Sequence, residues 1–286
     1  MKKFKSLGIV ATAIVLLIIA AIGFYFYTNS DAYIAKKIYN SLGNDYTVAQ
    51  CDSIILLSPD SEYAKLAEEK KQTLLRQQRE WNAIANAPTV ESIKNYKSKH
   101  TLTATYSTAT DKALDSLLWI DAIKGKLDTN YDEYLKLGEV AHHYTEASKV
   151  LQLMKELPFD ATISANLQNQ LSTFYEELGN GNASKVADMC ADTVSFFLFH
   201  QNQTKKEVAN FINKKYCKNI KTRTFTAPSN IEFHKARINN DEAGYAILFD
   251  IEITSPKKVA RKHSACVFLN KEGKITYVAH KPFKRQ

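Results

Sequence analysis

The chain has 286 residues, of which 45% are hydrophobic and 24% are charged. This is an ordinary globular composition, long enough for two modest domains. Six prolines, nine glycines and four cysteines exclude a collagen-like chain, a low-complexity chain and a disulfide-dense miniprotein. The formal charge of +8 is uneven, because residues 200–286 hold 18 Lys/Arg against 7 Asp/Glu and the rest of the chain carries −3. Composition therefore bounds the class of protein without naming a reaction.

The N-terminus carries an apolar run, residues 7–27, that contains no charged residue. A helix of this length spans about 30 Å, the thickness of the hydrocarbon core of a bilayer. Three lysines precede the run, and positive charge stays on the cytoplasmic side of a membrane. We therefore expect residues 1–6 to be a cytoplasmic tail, residues 7–27 a single transmembrane helix of a bacterial inner membrane, and residues 28–286 to be extracytoplasmic, or periplasmic.

Two other interpretations of this run stay open. A cleaved signal peptide has the same basic start, but its apolar region is usually about 7–15 residues long and ends in small residues. Here the run ends in four aromatic residues at positions 24–27, which make a poor cleavage site. A buried helix of a soluble protein is the remaining alternative.

Residues 28–157 predict helix after helix, with a cap at Ser30 and a stop at Gly43. Within this region a pattern recurs after 38 residues. It contains a tryptophan, two tyrosines and an alanine in one register, at Trp81, Tyr96, Tyr106 and Ala109 and then at Trp119, Tyr134, Tyr144 and Ala147. Such a period is typical of stacked helical hairpins. The pattern resembles tetratricopeptide-type repeats of bacterial envelope proteins, which implies a spacer or a peptide-binding surface.

Residues 160–286 predict a separate α+β domain. An amphipathic helix over residues 161–178 is followed by a short helix and an apolar run at residues 193–199. Thr204 and Glu207 then form a capping box before another helix. From residue 220 the period drops to two, and five strand-like runs are separated by short turns. These links predict three helices followed by a curved antiparallel meander.

This order of elements resembles the nuclear transport factor two-like (SnoaL-like) fold. The segments that carry the resemblance are FYEELGNGNASKVADMCADTVSFFLF, TKKEVANFINKKY, AGYAILFDIEI and NKEGKITYVAHKPF. The resemblance implies a cone, in which a bent antiparallel sheet wraps around a long helix and leaves a cavity. The overall expectation is thus an α+β chain: an anchor, an all-α helical-hairpin repeat region and a C-terminal cone.

The resemblance also implies where a site would lie. One face of the longest strand, with Tyr245, Phe249 and their apolar neighbours, is expected to line the cone opposite Phe174 and Tyr175. The other face is expected to contribute to a dimer surface. Our candidates for the ligand pocket are five residues of the C-terminal domain: Tyr175, Phe199, His200, Tyr245 and Phe249.

Catalysis would need an acid or base inside the cone, with His200, His234, Asp250, His263 and His280 as the available groups and Tyr175 or Tyr245 as hydroxyl donor. Asp250 falls on the face opposite the aromatic stripe, so we expect it to point away from the cavity. No P-loop, HExxH or GxSxG motif is present. We name no catalytic residue, no cofactor and no metal site.

A basic cluster is formed by Lys257, Lys258, Arg261 and Lys262, and it is a candidate for contact with an anionic surface such as lipid headgroups or cell-wall polymers. Nucleic acid is disfavoured because no aromatic residues are interleaved with the lysines. Pairing of Cys190 with Cys217 stays open, whereas Cys266 is expected in the core.

We therefore expect a membrane-anchored scaffold or binding protein of a bacterial envelope, integral with a single span and without catalysis. Its cone domain would bind a partner protein, a second copy of itself or a small ligand. The alternative is an enzyme that uses the cone cavity for isomerase, dehydratase or hydrolase chemistry. A closed apolar interior would argue against catalysis, and an open pocket with a histidine or an aspartate near a tyrosine would favour the enzyme.

Overall fold

The structure is a computed structural model that describes the backbone of residues 2–216, 224–255 and 258–280. Side chains are described over the same ranges except residues 2–14, 215–216, 255, 258–259 and 261. The chain has an α+β fold that divides into two compact units, Met1–Leu114 and Asp115–Gln286. The division falls inside one helix, Ala104–Gly125.

The first unit is helical, as the sequence predicts. Ser30 accepts a hydrogen bond from the backbone N–H of Tyr33, as expected of a cap. Thr47 and Thr89 also cap helices, each through a capping box. The helices are α1 (Lys2–Thr28), α2 (Asp31–Ser41), α3 (Val48–Leu57), α4 (Glu62–Ala85), α5 (Val90–Lys99) and the first half of α6 (Ala104–Gly125).

The apolar helix α1 has large exposed side chains along its whole described part. Leu17 and Phe26, for example, are 70% and 69% exposed. Among the residues whose side chains are described, no single helix is long and apolar enough to cross a membrane, although Val15–Thr28 and Asp31–Ser41, bent by 57°, pass that test as a pair. The predicted span at residues 7–27 begins outside the described side chains.

Helices α2, α3 and α4 pack around a small apolar cluster. Its fully buried members are Ala35, Cys51, Ile54 and Ala67. Burial raises the pKa of the Cys51 thiol, so this cysteine behaves as a small apolar side chain.

The second unit begins with the rest of α6 and continues through helices and a mixed sheet. Its helices are α7 (Asp128–Leu135), a 3₁₀ turn (Gly138–Val140), α8 (Tyr144–Lys155), α9 (Ala161–Gly179), α10 (Ala183–Met189) and α11 (Lys205–Phe211), which continues as a π turn (Ile212–Tyr216). The predicted capping box is present: Thr204 accepts from the N–H of Glu207, and the Glu207 carboxylate accepts from the N–H of Thr204.

The 38-residue pattern recurs as a structural contact. The rings of Trp81 and Tyr96 lie 5.6 Å apart at 48°, and those of Trp119 and Tyr134 lie 5.1 Å apart at 48°. Ala147 is fully buried, as a small residue between helices should be. The Trp–Tyr ring contact is therefore the same in both copies, whereas Ala109 is half-buried and Tyr144 is 47% exposed, so the rest of the pattern does not mark equivalent packing positions.

The sheet has seven strands in the order β2-β1-β7-β6-β5-β3, and β4 also pairs with β5. The strands are β1 (Thr193–Phe197), β2 (His200–Thr204), β3 (Thr224–Phe225), β4 (Ser229–Arg237), β5 (Ala243–Ser255), β6 (Lys258–Asn270) and β7 (Ile275–Ala279). Strands β4 to β7 form the predicted antiparallel meander.

Two features of the sheet differ from the prediction. It is mixed, because β1 lies parallel to β7, with Phe196 opposite Tyr277. The polar segment that follows β1 is itself a strand, since β2 pairs with β1 in a tight hairpin. Of the first predicted run, Thr224–Phe225 forms β3, and residues 220–223 lie outside the described residues. Backbone pairing thus overrides the weak strand propensity of a glutamine-rich segment.

The alternation along β5 is confirmed. Tyr245, Ile247, Phe249 and Ile251 belong to the core that also holds the buried face of α9. Ala246 and Leu248 belong to a second cluster on the other face of the sheet, with Cys266 and Phe268. These four side chains are buried within the chain, at no more than 8% exposure.

Candidate functional site

Helix α9 organises the interior of the C-terminal sheet. Asp160 caps its N-terminus by accepting from the N–H of Ile163. Five side chains on one face of the helix are buried at helical spacing, namely Leu167, Leu171, Phe174, Tyr175 and Leu178. They pack with the inward side chains of β5, β6 and β7, so the described interior beside the helix is filled by apolar groups.

A pocket of about 370 Å³ opens where α9 ends. One wall is the last two turns of α9, and the other is β3 with the loop that follows it. A Cβ added at Gly179 would lie 3.4 Å from the ring of Phe225, so the two walls approach closely there. The lining residues are Ser172, Tyr175, Glu176, Gly179, Asn180, Thr224, Phe225, Thr226, Ala227 and Pro228.

Tyr175 connects this pocket to a buried histidine. Its hydroxyl oxygen lies 2.9 Å from Nε2 of His280, a residue that is 9% exposed. The Tyr175 ring also contacts Phe225 at 5.3 Å and Phe249 at 5.5 Å between ring centres. The aromatic contacts fix the ring of Tyr175, and the imidazole either accepts the phenolic proton or donates one to the phenol, depending on its tautomer.

The described lining of the pocket is mostly uncharged. Among the lining residues that the structure describes, Glu176 is the one ionisable carboxylate, and the other polar groups are hydroxyls and an amide. The hydroxyl oxygen of Thr226 already accepts a hydrogen bond from the backbone N–H of Glu252 at 3.0 Å. Among the described residues, no group of three or more His, Cys, Asp or Glu could hold a metal ion.

The structure brings three of the five pocket candidates into the interior. Tyr175 and Phe249 are in contact, and Tyr245 lies towards the other end of α9, where its hydroxyl donates to the carbonyl of Pro158 at 2.9 Å. Phe199 and His200 lie apart from them. Phe199 is 70% exposed beside the β1–β2 turn, and the His200 ring packs against Phe211 at 4.7 Å.

The expected orientation of Asp250 is confirmed. Its carboxylate accepts from Asn230 at 2.8 Å and from Ser264 at 3.3 Å, on the side of the sheet away from α9. Among the candidate histidines, His280 is the one that the structure brings against Tyr175 of the described core. His280 was one of several equivalent candidates in the sequence, because nothing local distinguishes it.

The structure tests part of the predictions for the cysteines and for the basic cluster. Cys266 is 1% exposed, which confirms it as a core residue, and burial raises the pKa of both Cys266 and Cys190 to about 12. Cys217 and Lys257 lie outside the described residues, as do the side chains of Lys258 and Arg261. Lys262 is exposed. Cys190 is a free cysteine whose Sγ donates to the carbonyl of Val186 at 3.3 Å, so it forms no disulfide in the structure. The anionic-surface site stays a prediction.

The chain has similarities to solved structures but to no family model or curated protein. Among solved structures, ActVI-ORFA from Streptomyces coelicolor is 9% identical with a TM-score of 0.33, covering 45% of this chain and all of that one (100%).

Two further structures are similar at the same level. SalBIII, an epoxide hydrolase/cyclase-like enzyme in pyran ring formation in the polyether salinomycin, is 14% identical with a TM-score of 0.29, and the match covers 41% of this chain and 89% of SalBIII. The Orange Carotenoid Protein of Anabaena (Nostoc) sp. PCC 7120, binding canthaxanthin, is 12% identical with a TM-score of 0.32 and covers 87% and 86%. At these values the likenesses carry no argument about this chain.

Proposed function

We propose that this chain is a membrane-anchored extracytoplasmic binding protein of a bacterial envelope. Its nuclear transport factor two-like second unit would hold a small ligand in the pocket beside Tyr175. The observation that carries the proposal is an open pocket of about 370 Å³ at the end of an otherwise filled apolar core. A rigid, packed support with a few polar groups at its end is the usual form of a small-molecule site.

The proposed anchor is supported by the character of α1. This helix is apolar, and the described residues leave most of the described part of its surface uncovered. Lys2, Lys3 and Lys5 precede the run and favour a cytoplasmic N-terminus. The aromatic residues at positions 24–27 suit the membrane–water interface at the other end.

The orientation can be tested with inverted membrane vesicles. Protease added to them should leave residues 28–286 intact, because that part of the chain would be inside the vesicles. Cleavage of this region in sealed inverted vesicles would contradict the proposed topology. Retention of full-length mass in the membrane fraction distinguishes an uncleaved anchor from a removed signal peptide.

The ligand is expected to be small and either uncharged or cationic. Two aromatic rings, Tyr175 and Phe225, offer a flat apolar surface, and Ser172 and Thr224 offer hydroxyls around it. Glu176 disfavours an anion by like-charge repulsion. An envelope protein or a second copy of the chain remains the expected macromolecular partner.

Binding can be measured by ligand-detected NMR on the full chain in nanodiscs, with cyclohexanone, phenol and benzamide as neutral probes and benzoate as the anionic probe. We expect the neutral probes to bind better than benzoate. Tyr175→Phe should weaken them by about three- to tenfold, the effect of one lost hydrogen bond. Tyr245→Phe is the matched control, since it removes a buried hydroxyl elsewhere along α9. Equal effects of the two variants, or no binding, would contradict the proposal.

The contact between Tyr175 and His280 favours a second candidate function. A phenol 2.9 Å from an imidazole can pass a proton to or from a bound carbonyl compound. Such an enzyme would exchange the α-hydrogens of cyclohexanone for deuterium in D₂O, and His280→Gln would abolish exchange while binding persisted. No exchange above the buffer rate would leave binding as the function of the pocket.

A further inference from the structure

A second pocket of the Asp115–Gln286 unit lies between α7, α8 and β4. It has a volume of about 210 Å³ and is lined by Asp128, Thr129, Asp132, Leu151, Met154, Lys155 and Lys235. This is below the range of about 300–1,000 Å³ that is usual for drug-sized ligands. The pocket therefore suits a molecule about the size of one amino acid.

The walls of this pocket carry opposite charges. Asp128 and Asp132 are one helical turn apart, so they share one side of α7. Lys155 stands in the last turn of α8 and Lys235 on β4, and both contribute positive charge. Two apolar side chains of α8 lie between the charged groups: Leu151 is 8% exposed and Met154 is 1% exposed.

The charges of the two walls do not neutralise each other. Asp128 lies 3.7 Å from Nδ1 of His234, but in the described part of the chain no ion pair joins Asp128 or Asp132 to Lys155 or Lys235. Nζ of Lys235 instead donates to the carbonyl of Leu157 at 2.6 Å, which fixes its position. A ligand with one charge of each sign could contact both walls at once, whereas a ligand with one charge would leave the opposite wall unmatched.

The frame around the pocket is rigid. Leu127, just before α7, forms a backbone bridge with Ala236 of β4. The N–H of Arg237 donates to the carbonyl of Lys126 at 2.8 Å, so the start of α7 is tied to the strand. The Asp128 carboxylate is also held, since it accepts from the N–H of Thr129 at 2.9 Å. Walls that are already in place lower the entropic penalty of binding.

We propose that this pocket binds a small zwitterion of the α-amino acid type. The ammonium group would lie against Asp128 and Asp132, the carboxylate against Lys155, and the side chain on Leu151 and Met154. The proposal concerns a different site from the Tyr175 pocket and does not depend on the function proposed for it.

Isothermal titration of the full chain in nanodiscs tests the proposal with three probes of one carbon skeleton. L-Leucine has both charges, leucinol has the amine without the carboxylate, and 4-methylpentanoate has the carboxylate without the amine. We expect leucine to bind at least about tenfold more tightly than either analogue, since each charged hydrogen bond is worth about one factor of ten or more. Equal affinities of the three probes, or no binding of leucine, would overturn the proposal.

Variants separate the two walls. Lys155→Gln should weaken leucine by about tenfold and leave leucinol unchanged, and Asp132→Asn should weaken leucine and leave 4-methylpentanoate unchanged. Lys149→Gln is the matched control, because Lys149 is an exposed lysine of α8 outside the pocket. If all three variants bind leucine alike, the pocket is only a gap between helices. The Tyr175→Phe variant should bind leucine normally, so failure here is distinguishable from failure of the proposed function.

Discussion

The two copies of the helical pattern share their aromatic packing but satisfy the buried tyrosine hydroxyl in different ways. In the first copy the hydroxyl of Tyr96 donates to the backbone carbonyl of Gln77 at 3.0 Å. In the second copy the hydroxyl of Tyr134 donates to the carboxylate of Asp115 at 2.7 Å. Gln77 and Asp115 are 38 residues apart, so they occupy the same position of the pattern. That position supplies a backbone acceptor in the first copy and a carboxylate acceptor in the second.

The carboxylate of Asp115 gives the second copy additional hydrogen bonds. Asp115 also accepts from the N–H of His142 at 3.0 Å and from its Nδ1 at 2.8 Å. His143 stacks on Trp119 at 4.3 Å between ring centres, nearly parallel to it. The His142–His143 pair, which precedes α8, therefore secures the α7–α8 connection.

The pKa values reflect the same difference. Burial raises the pKa of both Tyr96 and Tyr134 to about 12, and the hydrogen bond to Asp115 adds to the rise at Tyr134. Burial alone would raise the pKa of Asp115, but the hydrogen bonds from Tyr134 and His142 outweigh it and hold that pKa below its usual range. The first copy also has a carboxylate–imidazole pair, because Oε2 of Glu80 lies 2.7 Å from Nε2 of His100, whose ring packs on Tyr96. The comparison teaches that the same ring contact can be kept while the buried tyrosine hydroxyl has a titratable acceptor in the second copy alone.

The largest effect is expected from removing the tryptophans. Trp119→Ala should lower the free energy of unfolding by about 3 kcal/mol, because Trp119 contacts Tyr131, Tyr134 and His143. Trp81→Ala should lower it by about 2 kcal/mol, since Tyr96 is its one ring contact in the described residues. Urea unfolding followed by circular dichroism checks the order, and a larger loss for Trp81→Ala would break the comparison.

A smaller effect separates the polar positions. Asp115→Ala should cost about 2–3 kcal/mol, because it leaves buried donors of Tyr134 and His142 without an acceptor. Gln77→Ala should cost about 1 kcal/mol, since the backbone carbonyl that serves Tyr96 stays in place and only the side-chain bond to Thr101 is lost. The remaining tryptophan reports each copy separately in Trp81→Phe and Trp119→Phe backgrounds. Equal losses would show that the carboxylate has no special role.

The pH dependence sharpens the contrast further. Because the folded pKa of Asp115 is lowered, its stabilisation is present above the unfolded value of about 3.9 and is lost as pH falls through the folded value. The difference in unfolding free energy between wild type and Asp115→Asn should therefore be constant from pH 7 to 5 and shrink below about pH 4. The Gln77→Ala difference should not change over this range. A difference for Asp115→Asn that stays flat to pH 2 would contradict the network.

The smallest contrast lies in the tyrosine hydroxyls. Tyr134→Phe should cost about 2 kcal/mol, because it breaks a bond to a charged acceptor, and Tyr96→Phe about 1 kcal/mol. Thermal unfolding of both variants gives the measurement, with Tyr144→Phe as a control because Tyr144 is 47% exposed. A larger effect at Tyr96 would place the greater support in the first copy.

Local features of the sequence predicted much of the fold. The cap at Ser30, the capping box at Thr204 and the alternation along β5 each depend on contacts within a few residues, so their signals are complete in the chain itself. The sequence also showed the recurring spacing of tryptophan and tyrosine, and the ring contacts between them were seen in the structure alone.

The sequence by itself thus determined the helices, the inward face of the longest strand and the repeat. Only the tertiary structure decided which polar groups meet. Tyr175 and His280 are 105 positions apart, and Asp115 and His142 are 27 apart. The direction of β1, the exposure of Phe199 and the pocket at the end of α9 were decided in the same way. Periodicity fixes the face on which a side chain lies, but contact between distant residues depends on how the strands and helices pack.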